Sequence, residues 1–409
     1  MTDRNYTVRA ARCEPSVPDE QVYETLCRIT EPLTRSWEKL EQARKIVIKF
    51  NMPSHRNPEY FHGRRRQTVD DSVCRAVLRL LRERTSAEVV ATDTNGYLAP
   101  GEPNPGHNYL CHLQECGASY HESNLPPFAT YEVPGGGRMF DRYNLSACFQ
   151  DADAVVSVAK MKNHGFMGLT LCMKNLFGLT PMARPEKRGR IRTYFHHAIR
   201  LSYVLPDLAT ILQPCLNVID GITGQYGTEW GGEGRVGNVL IAGDQTTATD
   251  ACGAHLMGHD PTSDWPTPPF RRDRNHVLVA AQGGFGTVDL DKIDLVSEVQ
   301  APLNEFDSVA EDDPEHMATV RETACEQGLF YRDRMQAMIA KYAGEFVYLQ
   351  DGEVKWNGSD PAHIGSHRDF TGKKPGSALF LKKVDPEEHE GERFDAYEKI
   401  LERAVGKQA

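Results

Sequence analysis

Residues 155–180 read VVSVAKMKNHGFMGLTLCMKNLFGLT, and the rest of the chain is understood outward from them. Val155, Val156 and Val158 make a short β-branched run preceded by Asp151 and Asp153, the pattern of a buried strand. At its exit stand Lys160, Lys162, Asn163 and His164, then Gly165 and Gly168, and a second apolar segment is interrupted by Lys174 and Asn175. Lysine is ordinarily a solvated residue. An element that buries Leu171, Cys172, Met173, Leu176 and Phe177 must instead bring the Lys174 ammonium to the core or to a cleft, where it needs a partner or loses its proton. Such perturbed groups mark functional sites. A structural ion pair for Lys174 or Lys162 and a packed or capping role for His164 are the plain alternatives.

The flanking sequence alternates strand and helix signals. Residues 7–13 alternate like a strand, 19–37 carry Val22, Leu26, Ile29 and Leu33 at helical spacing, and 45–50 form a β-branched strand with Lys49 and Asn51 at its C-terminal end. That end is where open α/β sheets place ligand-binding groups. A helix at 70–84, a strand at 88–92 ending at Asp93, a short helix bearing Leu110 and Leu113 and a strand at 118–121 lead to a break at 124–138. Downstream come a helix at 201–212 split by Pro206, strands at 215–219 and 238–242, a helix at 247–257 and a strand region at 288–299. The expected fold is therefore α/β, a mostly parallel sheet flanked by helices, over residues 1–300 as one region or as lobes 1–150 and 151–300. Residues 301–409 read as a charged helical segment followed by a hairpin at Asp351-Gly352 and a last strand, a small α+β C-terminal appendage.

Composition narrows the partners. A formal net charge of −10 argues against a nucleic-acid binder, whose usual footprint is a basic domain. The N-terminal run MTDRNYTVRAARCEPSV has no apolar leader segment, and no stretch approaches the roughly 18 apolar residues of a membrane span, so no membrane and a cytoplasmic location are expected. None of the ten cysteines forms C-x-x-C, so a zinc site, a ferredoxin cluster and a disulfide framework lack their usual signature. Cys111 and Cys116, with His107, His112 and His121 nearby, are the closest approach to a metal set, and reduced thiols are the simpler reading. The sequence leaves the oligomeric state open, a homo-oligomer included.

Within this acidic chain, 184–200 reverse the sign, with Arg184, Lys187, Arg188, Arg190, Arg192, His196 and His197. A cleft of one sign concentrates ligands of the other. Arg190 and Arg192, with Lys49, Asn51 and Asn175, are the expected contacts to a small anion, a carboxylate or phosphate ester. Residues 52–67, MPSHRNPEYFHGRRRQ, are polar and rich in turn formers and read as a basic loop, solvated or closing over that anion. Residues 224–237, GQYGTEWGGEGRVG, match neither G-x-G-x-x-G nor G-x-x-x-x-G-K-[ST] and read as a close backbone approach or a mobile lid.

The motif K-x-H-G-x-x-G-x-T-x-x-x-K-N-x-F-G, here Lys162, His164, Gly165, Gly168, Thr170, Lys174, Asn175, Phe177 and Gly178, resembles the signature of domain-of-unknown-function family 362. The blocks KIVIKFN at 45–51, VIDG at 218–221 and AGDQTTATDACGAHLMG at 242–258 resemble other elements of that family, in its order, across about 7–262. Some members carry ferredoxin-like cysteine clusters, a pattern missing here. The tail resembles a small strand-turn-strand module, also of unknown function, that recurs in microbial proteins.

Two functions follow as expectations. The first is an enzyme of the isomerase or lyase class acting on a small anionic metabolite, with Lys162, His164 and Lys174 as acid, base and electrostatic groups for proton abstraction beside a carboxylate. Asp93, Asp220, Asp250, Glu229 and Glu233 form an oxygen-rich set suited to magnesium or manganese as a divalent metal cofactor rather than zinc. Asp93 has a further option, holding a lysine. The second is a non-catalytic or redox accessory protein binding a metal centre or iron-sulfur-related cofactor, which the cysteine spacing disfavours.

Overall fold

The structure, a computed structural model, describes residues 6–52, 58–94, 109–181, 194–196, 198–309, 313–359 and 380–406. Up to residue 300 its strands are β1 (Tyr6–Arg12), β2 (Lys45–Phe50), β3 (Tyr60–Phe61), β4 (Arg64–Arg65), β5 (Glu88–Asp93), β6 (Ser119–Glu122), β7 (Phe128–Glu132), β8 (Arg142–Ser146), β9 (Ala154–His164), β10 (Gly168–Thr170), β11 (Leu216–Tyr226), β12 (Glu233–Gly243) and β13 (Ile293–Ser297). Nine of them share one sheet, ordered β13-β1-β12-β11-β9-β2-β5-β6, with β10 paired to the end of β9. The run β11-β9-β2-β5-β6 is parallel throughout, and β12 runs against both its neighbours. This is the expected mostly parallel sheet flanked by helices.

Both faces are covered, which is why the central strands are apolar almost end to end. On one face Ile46, Ile48, Val156 and Val158 pack with Val22 and Leu26 of the helix Asp19–Thr30 and with Val73 and Val77 of the helix Asp71–Arg84. On the other, Ala159 and Ile219 meet Ala248, Ala251 and Cys252 of the helix Thr246–Leu256, while Val47 and Val155 meet the helix Arg200–Leu212.

Several local expectations change. The helix expected over 19–37 is two, Asp19–Thr30 and Thr34–Gln42, because Pro32 lacks the amide needed to continue. Pro206, by contrast, sits inside one unbroken helix. The break at 124–138 contains β7, paired with β8. Most of the glycine-rich stretch is hairpin: β11 runs to Tyr226 and β12 starts at Glu233. A Cβ at Gly237 would lie 2.3 Å from the Gly221 carbonyl oxygen, so this glycine serves close strand pairing rather than a ligand. Arg64 and Arg65 are buried and paired, Arg64 with Asp70 at 3.0 Å and Arg65 with Asp71 at 2.8 Å, which corrects the solvated reading of 52–67 at these two residues; 53–57 lie outside the described residues.

The C-terminal segment holds the helices Pro314–Asp333 and Met335–Tyr342, the strands β14 (Phe346–Gln350), β15 (Glu353–Gly358) and β16 (Phe380–Lys383) and the helix Asp395–Gly406. The β14–β15 turn uses Asp351 and Gly352 at φ 51° and 71°, the left-handed pair a tight hairpin demands. Val347, Leu349 and Leu381 share one core with Leu201, Val204 and Leu205, and Arg200 reaches Glu392 at 2.6 Å inside it.

Candidate functional site

The central strand β9 runs to His164, so the lysines expected at its exit lie within it and alternate residues share a face. Lys160, Lys162 and His164 project one way, and all three are buried. The two lysines meet different fates. Lys160 Nζ sits 3.0 Å from Asp220 Oδ2 and 3.3 Å from Thr223 Oγ1, and Asp220 also accepts the Asp70 amide at 2.8 Å. That ammonium is neutralised inside the sheet.

Lys162 has no such carboxylate: among the described residues it meets the Gln67 carbonyl at 2.6 Å, Asn51 Oδ1 at 3.3 Å and the Trp230 ring, 4.8 Å from Nζ to its centre. Burial, against a partial upward pull from Glu229, and the charges of Lys174, Lys160 and Lys49 bring its pKa down from 10.5 to about 7. A buried amine of this kind is uncharged above neutral pH and is a proton acceptor.

His164 is fixed by what surrounds each ring nitrogen. Nδ1 accepts the amides of Phe166 and Met167, both at 3.0 Å, so the proton belongs on Nε2, which faces Glu229 Oε1 at 3.3 Å. Glu229 Oε2 accepts the Gly165 amide at 3.2 Å. Burial and then the charge of Lys174 hold His164 well below the usual histidine range. It is a neutral hydrogen-bond donor. Its ring lies 5.9 Å from that of His196, which lies 5.8 Å from Phe177, over which half-buried Lys174 places Nζ at 4.8 Å. His276 completes the neighbourhood, fully buried, with neither ring nitrogen hydrogen-bonded among the described residues and with burial, then Lys174, taking its pKa down to about 3.

The opposite face carries a second polar set. Lys49 Nζ pairs with Asp93 Oδ2 at 2.9 Å and donates to Asn175 Oδ1 at 3.0 Å, and the Asn175 amide returns to the Lys49 carbonyl at 2.9 Å. Gly178 closes over this pair, since a Cβ there would lie 2.7 Å from Lys49 Cε and 2.8 Å from Asp93 Oδ1. Asp250 accepts the amides of Cys172 and Met173 at 2.8 and 2.7 Å, capping the short helix Cys172–Leu176 that carries Lys174 and Asn175.

The family model for a domain of unknown function, DUF362, matches residues 46–255, just over half of the chain. The chain belongs to the DUF362 family. This DUF362 chain is 27% identical over 163 residues to a thylakoid-associated protein of Synechocystis sp., a match covering 36% of the chain and 49% of that protein, so it spans about half the length of this relative. Among solved structures it is similar to the lactate racemase apoprotein from Thermoanaerobacterium thermosaccharolyticum, at 12% identity and TM-score 0.31 over 61% of this chain and 56% of that one. A Thermotoga maritima protein matches at 11% identity and TM-score 0.27 over 52% and 51%.

In the DUF362 chain the structure brings Lys162, His164, Lys174, Asn51 and Glu229 into one neighbourhood and sets Lys49, Asn175 and Asp93 on the other face of the sheet. Asp93 is paired with Lys49, Asp220 is committed to Lys160, Asp250 to a helix cap and Glu229 to His164 and the Gly165 amide, and Glu233 is an exposed partner of Arg235 at 3.0 Å, so all five residues expected around a metal have other partners. Among the described residues no three His, Cys, Asp or Glu side chains come together in a way that holds a metal ion. His112 meets Asp71 at 2.9 Å and His121 meets Ser146 at 2.7 Å, and among the described residues neither Cys111 nor Cys116 forms a disulfide. Arg190 and Arg192 lie outside the described residues, as do Arg184, Lys187, Arg188, His197 and His107. Among the described residues no helix is long and apolar enough to cross a membrane. Sequence reasoning missed Gln67, Trp230 and His276. The one signal for them was a tryptophan inside a glycine-rich turn beside Glu229.

Proposed function

We propose that this chain is an enzyme that binds a small anionic metabolite, a carboxylate or a phosphate ester, and moves a proton on it by isomerisation, racemisation or elimination. One observation carries this reading: Lys162, buried, donates to two neutral oxygens and meets no carboxylate among the described residues. Lys162 and Lys174 bring two basic groups to one neighbourhood, which attracts an anion. Lys162 is the proton acceptor, Lys174 the counter-charge, and the His164 Nε2–H the donor to charge developing on the substrate oxygen. Glu229 holds that imidazole in place.

Proton abstraction is visible without knowing the product. Purified protein in deuterated buffer, given a panel of small carboxylates and phosphate esters, is followed by proton NMR for loss of carbon-bound hydrogen. Exchange with the wild type, abolished by Lys162→Met and weakened through KM by Lys174→Ala, is the expected result. No exchange with any member, together with identical metabolites retained on wild type and Lys162→Met in native mass spectrometry, would overturn the reading.

A further inference from the structure

Among the described residues, three that are tied to Lys162 carry buried side-chain polar atoms without a hydrogen-bond partner: Gln67 Nε2, Thr170 Oγ1 and Gln225 Oε1. Their residues are 3%, 5% and 0% exposed, so bulk water does not satisfy them. Their positions in the fold converge. Thr170 and Gln225 are the register partners of Lys162 in β10 and β11, one on each side of the central strand, and Gln67 is the residue whose carbonyl accepts the Lys162 N–H. Cross-strand partners share a face of a sheet. Native proteins pair nearly all their buried polar atoms, so three exceptions around one amine mark a place built to meet a polar ligand group.

The atoms say which group. Gln225 donates through Nε2 to the Thr228 carbonyl at 2.6 Å, which fixes its amide and leaves Oε1 as an acceptor. An ionised carboxylate or phosphate dianion has no hydrogen to offer that oxygen. A protonated amine does, but it has no lone pair to accept from the Gln67 Nε2 donor. A neutral hydroxyl does both: it donates to Gln225 Oε1 and accepts from Gln67 Nε2 or Thr170 Oγ1. Resting on the anion reading above, we infer that Gln67, Thr170 and Gln225 form a hydroxyl-recognition subsite and that the substrate class is a hydroxy acid.

The test uses the full chain and thermal shift, with acids paired to differ by one hydroxyl: glycolate with acetate, glycerate with propionate, malate with succinate. For at least one pair the hydroxylated member should bind about tenfold more tightly, the value of one hydrogen bond. Thr170→Val should bring that ratio close to one without lowering the melting temperature of the ligand-free protein. Gln67→Met is the second variant, and decides the ratio if Thr170→Val does not fold. Equal binding of both members of every pair overturns the subsite and leaves the anion reading standing. No stabilisation by any of these acids overturns the subsite, and the same result with their phosphate esters overturns the anion reading as well. An unchanged ratio with a lower ligand-free melting temperature assigns these groups to the fold.

Discussion

Replacing Lys162 with methionine should change how stability depends on pH. In the unfolded chain the amine keeps its proton to about pH 10.5, whereas in the fold burial brings the pKa to about 7. Between these values the unfolded state binds one more proton than the folded one, so the contribution to stability rises with pH, by about 1.4 kcal/mol per pH unit. Below pH 7 both states are protonated and the whole penalty, about 5 kcal/mol, is present. Methionine has nearly the shape of the lysine stem and no proton to lose. Urea unfolding of both proteins at pH 7, 8 and 9, followed by circular dichroism, isolates this one group, because the other titrations are common to both. The wild type should gain roughly 2 kcal/mol over the variant across that range, since the amine is already half deprotonated at pH 7. A difference flat to within about 0.5 kcal/mol, the error of such comparisons, would mean that Lys162 keeps its proton in the fold, and the proton-acceptor role would fall with it.

Three other substitutions examine the surroundings. Asp220→Asn leaves the Lys160 ammonium buried without its counter-ion and should cost about 3–5 kcal/mol in urea unfolding; a loss under about 1 kcal/mol would show that Lys160 has lost its proton or found another partner. Gly178→Ala places a methyl against Lys49 and Asp93 and should destabilise by about 1–3 kcal/mol while displacing the lysine, checked by melting temperature and a crystal structure. Asp250→Ala removes the acceptor of two backbone amides and should cost about 2–4 kcal/mol, equally with and without a chelator; a loss confined to metal-containing buffer would make Asp250 a ligand instead.

The alternation of apolar runs was enough to read a parallel, helix-covered sheet from the chain, because burial on two faces leaves continuous β-branched strands whatever their neighbours. The grouping of Lys162 and His164 was equally legible, since residues two apart on a strand point the same way. Lys174 follows from its apolar flanks. The lysines themselves were not separable by sequence: Lys49, Lys160 and Lys162 read alike. Only the folded chain brings Asp93 to the first and Asp220 to the second and supplies the third with the Gln67 carbonyl and the Trp230 face. The protonation of a buried amine depends on the groups within a few ångströms of it, and those arrive from segments tens of residues away.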